Sequence, residues 1–147
     1  MNKNLFIKEY QALIKDETDT IALLSNTSAF LNNILNNINW VGFYLYKNKE
    51  LVLGPFQGKV ACTHIPLDKG VCGKAAKTLE TQRISNVHQF EGHIACDSVS
   101  ESEIVLPIVK NNQLFGVLDI DAPIQDRFSL NDQNFLEEII NILKQSL

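Results

Sequence analysis

Two apolar runs, residues 102–110 and 113–121, are separated by only Asn111 and Asn112. Apolar runs on either side of such a short polar turn indicate an antiparallel β-hairpin. A hairpin fixes which strands are neighbours and in which register they pair, so this feature constrains the fold more than any other segment of the chain.

A second hairpin is predicted earlier in the chain. Residues 40–46 are aromatic and β-branched, residues 47–49 can form a turn, and residues 50–54 supply the second strand. Residues 55–58 begin with Pro55 and end with a glycine, so we expect this segment to break the strand.

Helical periodicity marks both ends of the chain. Apolar residues recur at helical intervals over residues 3–14 and 20–38, and repeated asparagines in the second segment suggest a polar face and a frayed end. Ser129 is a good N-cap for a final helix over residues 130–145. The elements between the hairpins are shorter: strands at 63–66 and 82–86, a helix at 71–78 and a long loop at 87–100.

Strands joined mostly by hairpins predict an antiparallel sheet, with helices packed on one face and loops on the other. The predicted fold class is therefore α+β. A length of 147 residues suits one domain over residues 1–147, and 45% apolar with 20% charged residues is the composition of an ordinary globular protein.

Charge and hydropathy argue against two classes of partner. A net charge of −4 gives no reason to expect nucleic acid, which calls for a basic surface. No apolar run approaches the roughly 20 residues that span a bilayer. Residues 1–16 also lack the apolar centre of a signal peptide. We therefore expect a cytoplasmic protein that binds neither nucleic acid nor a membrane.

Acidic side chains are predicted to cluster at one end of the sheet. Asp119 and Asp121 lie two residues apart in a strand and share a face, and Glu103 at the start of the preceding strand can join them. Trp40 and Tyr44, four residues apart, also share a face. Because burying unpaired carboxylates is costly, the acids are either solvated at the strand end or bind a cation. That cation can be an ammonium group beside the aromatic pair, or a metal such as magnesium or calcium.

The three cysteines, Cys62, Cys72 and Cys96, form no CxxC pair and are odd in number, which disfavours a structural disulfide framework. Cys96 lies in the predicted long loop, where His93 can assist its ionisation and Asp97 would oppose it. Cys72, at the start of a predicted helix, gains some help from the helix dipole. The residues alone leave open that all three thiols are buried and unreactive.

Five short segments carry motifs of one known family: residues 39–44 (NWVGFY), 54–58 (GPFQG), 70–73 (GVCG), 86–97 and 116–123 (GVLDIDAP). Together they resemble the free methionine-(R)-sulfoxide reductases, which have the GAF fold. The resemblance covers residues 40–128 and is compatible with the helices on either side. The set is specific because the three cysteines stand at the family's positions, and no key position departs from the pattern.

The resemblance implies a single GAF domain that reduces free methionine-(R)-sulfoxide to methionine, with thioredoxin restoring its thiols. It implies that Cys96 is the catalytic thiol, which attacks the sulfoxide sulfur and becomes a sulfenic acid. Cys62 and Cys72 are then resolving or recycling cysteines, in an order that the resemblance leaves open. It implies no cofactor and no metal, and it favours a homodimer.

The resemblance also assigns the pocket. Trp40 and Tyr44 resemble the wall that receives the sulfoxide methyl group, and Glu103, Asp119 and Asp121 resemble the polar side of the site. We expect Glu103 or one of the aspartates to protonate the sulfoxide oxygen, with its pKa raised by its acidic neighbours. The same negative charge should raise the pKa of the catalytic thiol, so the ammonium group of the substrate is expected to offset it.

Two other classes of function remain open. A ligand sensor of the GAF type would bind a small molecule without turnover, although the chain shows no obvious second domain to receive a signal. A metal-binding or structural module is the other class. His88, His93 and Cys96 are competent zinc ligands, but their spacing matches no standard zinc signature.

Overall fold

The computed structural model describes residues 1–93, 96 and 98–147. The helices are α1 (Lys3–Ile14), α2 (Thr20–Ile34), α3 (Gly70–Thr78) and α4 (Leu130–Lys144). The strands are β1 (Trp40–Lys47), β2 (Glu50–Gly58), β3 (His64–Pro66), β4 (Gln82–Ile84), β5 (Ser102–Lys110) and β6 (Gln113–Ala122), and a 3₁₀ helix covers Val87–Gln89. The predicted α+β class is confirmed.

The six strands form one antiparallel sheet in the order β3-β2-β1-β6-β5-β4. Both predicted hairpins are confirmed, because β1 pairs with β2 and β5 pairs with β6. Their two-residue turns have positive φ at both positions: 52° and 64° at Asn48 and Lys49, and 54° and 61° at Asn111 and Asn112. This geometry is that of a type I′ turn, which asparagine tolerates well.

The expectation that residues 55–58 break the second strand is wrong. β2 continues to Gly58, and its pairing with β1 shifts so that Gly54 and Pro55 lie opposite Phe43 alone. Such a β-bulge interrupts the ladder of hydrogen bonds at the position where proline has no N–H to donate. The strand therefore passes the proline instead of ending there.

The second helix is shorter than its apolar periodicity predicts. It ends at Ile34 instead of residue 38, and the N–H of Leu35 donates to the carbonyl of Leu31 to close the last turn. Asn37 then has a φ of 57°, a left-handed conformation that no helix can continue through. The asparagines that suggested a frayed end therefore terminate the helix.

The sheet divides the core into two parts. Val41, Phe43 and Leu45 of β1 pack into the larger part with α1, α2 and α4, and Trp40 and Tyr44 point into the smaller part. The predicted helical face is thus formed by three helices. The opposite face was expected to carry loops, but α3 packs there against β5 and β6. This face holds the candidate site.

Most helices begin at a side-chain cap. Asn2 caps α1, Asp19 caps α2, and Ser129 caps α4 as predicted. None of the helices in the described ranges is long and apolar enough to cross a bilayer.

Candidate active site

A cavity opens on the face of the sheet that carries α3. Its walls come from the ends of β1, β5 and β6, from the start of α3, which contains Cys72, and from the segments around Cys62 and Cys96. The residues singled out from the sequence meet there: Trp40, Tyr44, Cys72, Cys96, Glu103, Asp119 and Asp121 line the cavity, and Cys62 is bonded to Cys96.

The apolar wall of the cavity carries Trp40 and Tyr44, and the ring of Phe56 stacks on Trp40. The ring of Trp40 lies 5.8 Å from that of Tyr44 and 5.2 Å from that of Phe56, with interplanar angles of 22° and 16°. The indole N–H of Trp40 donates to the carbonyl of Lys59, and the hydroxyl of Tyr44 donates to the carbonyl of Cys62. These bonds satisfy the polar atoms of both rings and hold the rings in place.

The stacking of Phe56 on Trp40 was not predicted from the sequence. Phe56 lies in the segment that was expected to break β2, and the continuation of β2 past the bulge places it opposite Gly42 and against Trp40. Gly42 permits this approach, because a Cβ atom there would lie 2.2 Å from the Cβ of Phe56. The GPFQG motif was the signal, but it could not show which side chain the phenylalanine contacts.

The pairing of β5 with β6 places the three acids side by side. Glu103 is directly opposite Asp121, and Asp119 is opposite Val105. Glu103 and Asp119 are each only 6% exposed. The alternative that the acids are solvated at a strand end is therefore wrong for these two residues.

Burial disfavours the ionised forms of Glu103 and Asp119. Burial, followed by the charges of Asp119 and Asp121, raises the pKa of Glu103 well above its usual range. Burial also raises the pKa of Asp119, although hydrogen bonds from its neighbours act in the opposite direction. The Oδ1 atom of Asp119 is buried and has no hydrogen-bond partner among the described residues. The cluster thus combines carboxyl groups whose ionisation is disfavoured with a buried acceptor atom that has no hydrogen-bond partner among the described residues.

His93 faces the acidic cluster. Its Nε2 lies 3.7 Å from Oε1 of Glu103, and burial lowers the pKa of His93, so the ring is mostly neutral at pH 7. We expected this histidine to assist the ionisation of Cys96, but its Nε2 is directed towards Glu103. Asp97, which we expected to oppose that ionisation, lies outside the described residues.

Two of the three cysteines are joined. Cys62 and Cys96, 34 residues apart in sequence, form a disulfide with a Cα–Cα distance of 5.7 Å. Cys72 is free and 4% exposed. Burial, followed by the charges of Asp119 and Glu103, raises the pKa of the Cys72 thiol, which outweighs the help expected from the helix dipole. The view that all three thiols are buried and unreactive therefore fits Cys72 alone.

The donor atoms of three buried residues are close enough to share a metal ion. They are Sγ of Cys72 and a carboxylate oxygen from each of Glu103 and Asp119, all within 4.8 Å of one another. The zinc ligands considered from the sequence, His88, His93 and Cys96, do not form this group. Nε2 of His88 lies 2.6 Å from Oε2 of Glu101, and Cys96 is in the disulfide.

The fold and the cavity define the class of protein. Residues 17–147 match the family described as the GAF domain, and the sheet with its flanking helices is the one expected for that fold. The chain is therefore a GAF-domain protein whose cavity carries a cysteine pair and an acidic cluster.

Individual relatives narrow the assignment. A relative from Escherichia coli (strain K12), named free methionine-R-sulfoxide reductase, is 50% identical over 100% of this chain and 92% of its own length. The structure of fRMsr of Staphylococcus aureus in its reduced form matches with a TM-score of 0.97 and 57% identity, covering 99% of this chain and 95% of that chain. Its complex with substrate matches with a TM-score of 0.95 and 56% identity, over the same shares of the two chains. The chain belongs to the free methionine-R-sulfoxide reductases, a family of oxidoreductases.

Proposed function

We propose that this protein reduces free methionine-(R)-sulfoxide to methionine, using its own thiols as the immediate reductant. The E. coli relative is named for this activity, and the S. aureus relative is known in complex with substrate. The observation that carries the proposal is the Cys62–Cys96 disulfide beside a cavity lined by acids and aromatic rings. A protein that only binds a ligand has no need of a thiol pair at that position.

Cys96 is the proposed nucleophile. In the reduced protein its thiolate attacks the sulfur of the sulfoxide, and the oxygen is transferred to the cysteine. The products are methionine, reduced by two electrons, and a Cys96 sulfenic acid, oxidised by two electrons. Cys72 is a poorer nucleophile because burial and the neighbouring acids keep its thiol protonated.

Glu103 is the proposed general acid. The sulfoxide oxygen must gain a proton while its bond to the methionine sulfur breaks, and an acid serves best when its pKa lies near the working pH. Burial and the acidic neighbours raise the pKa of Glu103 well above its usual range, which favours the protonated carboxyl group that a general acid needs. Asp119 and Asp121 are therefore part of the proton-donating machinery through their effect on Glu103.

Cys62 is the proposed resolving cysteine. Its thiol attacks the sulfur of the Cys96 sulfenic acid, the hydroxyl leaves as water, and a disulfide forms. The Cys62–Cys96 disulfide supports this order over one in which Cys72 reacts first. Cys72 takes no part in this first disulfide.

A dithiol protein of the thioredoxin type is the proposed external reductant. It attacks the disulfide through a mixed disulfide and leaves with both of its own sulfurs oxidised. Cys62 and Cys96 are both partly exposed, and Val60 beside them is 89% exposed, which supports access from solvent.

The proposed pose of the substrate follows from the two walls of the cavity. The methyl group on the sulfoxide sulfur packs against Trp40 and Tyr44, and the acids take the polar groups, including the ammonium of the amino acid. A bound ammonium group also offsets the negative charge that disfavours a nearby thiolate. A methionine sulfoxide inside a peptide has no ammonium group and would leave buried acids unpaired, which accounts for selectivity towards the free amino acid.

The cellular location, the oligomeric state and the domain organisation are part of the same proposal. We expect a cytoplasmic homodimer, because the resemblance favours a dimer and a thioredoxin system maintains thiols in the reducing cytoplasm. We also expect residues 1–147 to act as a single domain. Helix α1 begins before the matched residues 17–147, but it packs against α2 and α4 and buries Tyr10 completely.

Turnover of the separate epimers tests the proposal. We expect oxidation of NADPH with thioredoxin, its reductase and free methionine-(R)-sulfoxide, and no turnover of the S epimer. Cys96→Ser should abolish turnover, whereas Glu50→Gln should retain it, because Glu50 lies on the surface beside His64. Absence of turnover with either epimer, in folded and reduced protein, would instead favour a ligand-sensing GAF domain.

A further inference from the structure

The buried thiol of Cys72 and the acids beside it form a set of potential metal ligands, and the proposed redox cycle uses the acids but gives the thiol no role. We propose that Cys72, Glu103 and Asp119, with His93 as the fourth ligand, bind a thiophilic divalent cation of the zinc class, which occupies the cavity and excludes the substrate. The metal site itself is independent of the proposed function, whereas its role as an inhibitor rests on that function.

The distances suit one ion. Sγ of Cys72 and the carboxylate oxygens of Glu103 and Asp119 lie within 4.8 Å of one another, and Nε2 of His93 lies 3.7 Å from Oε1 of Glu103. Zinc bonds of about 2.0–2.3 Å in a tetrahedron hold their ligand atoms about 3.3–3.5 Å apart. Small rotations of the side chains therefore suffice to bring Cys72, Glu103 and Asp119 around one metal, and His93 must turn further from its place beside Glu103 to complete the set.

A second observation at the same place points to a cation-binding site. Asp119 is only 6% exposed and lines the cavity, and its Oδ1 atom is buried and has no hydrogen-bond partner among the described residues. An unsatisfied buried carboxylate oxygen is costly, and coordination of a metal satisfies it. The ammonium group of a substrate can satisfy the same atom, which is why metal and substrate should compete.

The kinds of donor atom select the metal. A thiolate with an imidazole and carboxylates suits zinc and its close analogues cobalt and cadmium. Magnesium and calcium prefer sites built entirely from oxygen ligands, so the sulfur of Cys72 disfavours them. The proposed site therefore differs from a site built from carboxylates alone, which would bind magnesium or calcium.

Cobalt titration of the oxidised protein tests the site directly. The disulfide occupies Cys62 and Cys96, which leaves Cys72 as the free thiol. One equivalent of Co²⁺ should produce a thiolate-to-cobalt charge-transfer band and the visible bands of four-coordinate cobalt, and Zn²⁺ should remove both. Absence of the charge-transfer band in oxidised wild-type protein would overturn the proposal.

Matched variants separate this site from adventitious surface binding. Cys72→Ser should lose the charge-transfer band, and Asp119→Asn should bind Co²⁺ at least about tenfold more weakly. Glu50→Gln, which alters the exposed pair with His64, should bind like wild type. Circular dichroism establishes that each variant is folded. A band that persists in folded Cys72→Ser, or an affinity for Mg²⁺ equal to that for Zn²⁺, would contradict the assignment.

Competition with substrate tests the inhibitory role without any turnover. In Cys62→Ser/Cys96→Ser, which retains Cys72, calorimetry should show that saturating Zn²⁺ weakens the binding of free methionine-(R)-sulfoxide at least about tenfold. Equal binding with and without Zn²⁺ would overturn the inhibitory role. Absence of substrate binding even without Zn²⁺ would count against the proposed function, and therefore against the exclusion of that substrate by the metal. The cobalt spectrum would still show whether the metal site exists.

Discussion

The environment of Glu103 favours its protonated form, so the carboxyl group gives up its proton only to a strong base. It is buried, it lies opposite Asp121 on the neighbouring strand, and Asp119 lies next to both. Burial and these charges disfavour the ionised form, so the pKa of Glu103 lies well above its usual range. The oxygen released from a sulfoxide is a strong enough base to take that proton.

Replacement of this acid tests its role at the scale of one residue. We expect Glu103→Gln to lower kcat by about a hundredfold, because the amide cannot donate the proton. In wild type, activity should be lost as pH rises through the pKa of the acidic cluster, and Glu103→Gln should lack this alkaline limb. Rates from pH 5 to 10, with Glu50→Gln as the control, measure both effects. An alkaline limb that Glu103→Gln leaves unchanged would assign the proton to another group.

At the scale of elements, two strand pairings define the site and one helix cap stabilises the helix that supports it. The β5–β6 register brings the acids together, and β1 with β2 supplies the aromatic wall. Helix α4 covers the other face of β5 and starts at a capping box: Asp132 N–H donates to Ser129 Oγ, and Ser129 N–H donates to Asp132 Oδ2. The cap stabilises the support of the site without touching the cavity.

Removal of that cap should affect stability alone. Ser129→Ala should cost about 1 kcal/mol and lower Tm by about 3 °C, with kcat/KM unchanged. Burial acts to raise the pKa of Asp132, but the bonds to Ser129 and the charges of Arg127 and Lys3 outweigh it and lower the pKa. A depressed pKa stabilises the fold above the ordinary pKa of aspartate, and this contribution is lost as pH falls through the folded pKa.

Thermal melts at pH 7 and pH 3 therefore distinguish the cap from a general packing effect. The Tm difference between wild type and Ser129→Ala should shrink at pH 3. Asn131→Ala, at an exposed position in the same turn, serves as the control. An equal difference at both pH values would rule out the charged cap as its origin.

The elements also show what local sequence can predict. Short polar turns between apolar runs predict both hairpins, and alternation along the last strand places Asp119 and Asp121 on one face, where Glu103 of the preceding strand can join them. Contacts between segments that are distant in sequence could not be predicted from these local patterns. The stacking of Phe56 on Trp40 depends on a bulge, and the pairing of the cysteines depends on how a loop of the chain packs, so neither leaves a periodic signal.

At the scale of the whole molecule, the raised pKa that suits Glu103 for proton donation also lowers the free energy of unfolding at neutral pH. A carboxyl whose folded pKa is raised favours the folded state less as pH rises above the ordinary carboxyl pKa, because the unfolded chain ionises more readily. The fold must therefore tolerate a site that weakens it at neutral pH. The large aliphatic and aromatic core on the other face of the sheet supplies the compensating burial.

A stability measurement tests this opposition. A difference of one pH unit between the folded and unfolded pKa corresponds to about 1.4 kcal/mol. Because the pKa of Glu103 is raised in the folded state, we expect Glu103→Gln to raise Tm at pH 8, and the gain should shrink towards pH 4 as the unfolded chain becomes protonated as well. A gain that persists unchanged at pH 4, or a lower Tm at pH 8, would show that Glu103 is not held protonated in the folded protein.

The most direct measurement of the central claim is a single turnover without external reductant. Fully reduced protein is mixed with excess free methionine-(R)-sulfoxide, and methionine, free thiols and disulfide-linked peptides are counted. The account predicts one methionine per chain, the loss of two thiols, and a peptide that joins Cys62 to Cys96. Folded, reduced protein that forms no methionine, or that forms it without oxidising these two cysteines, would contradict the account.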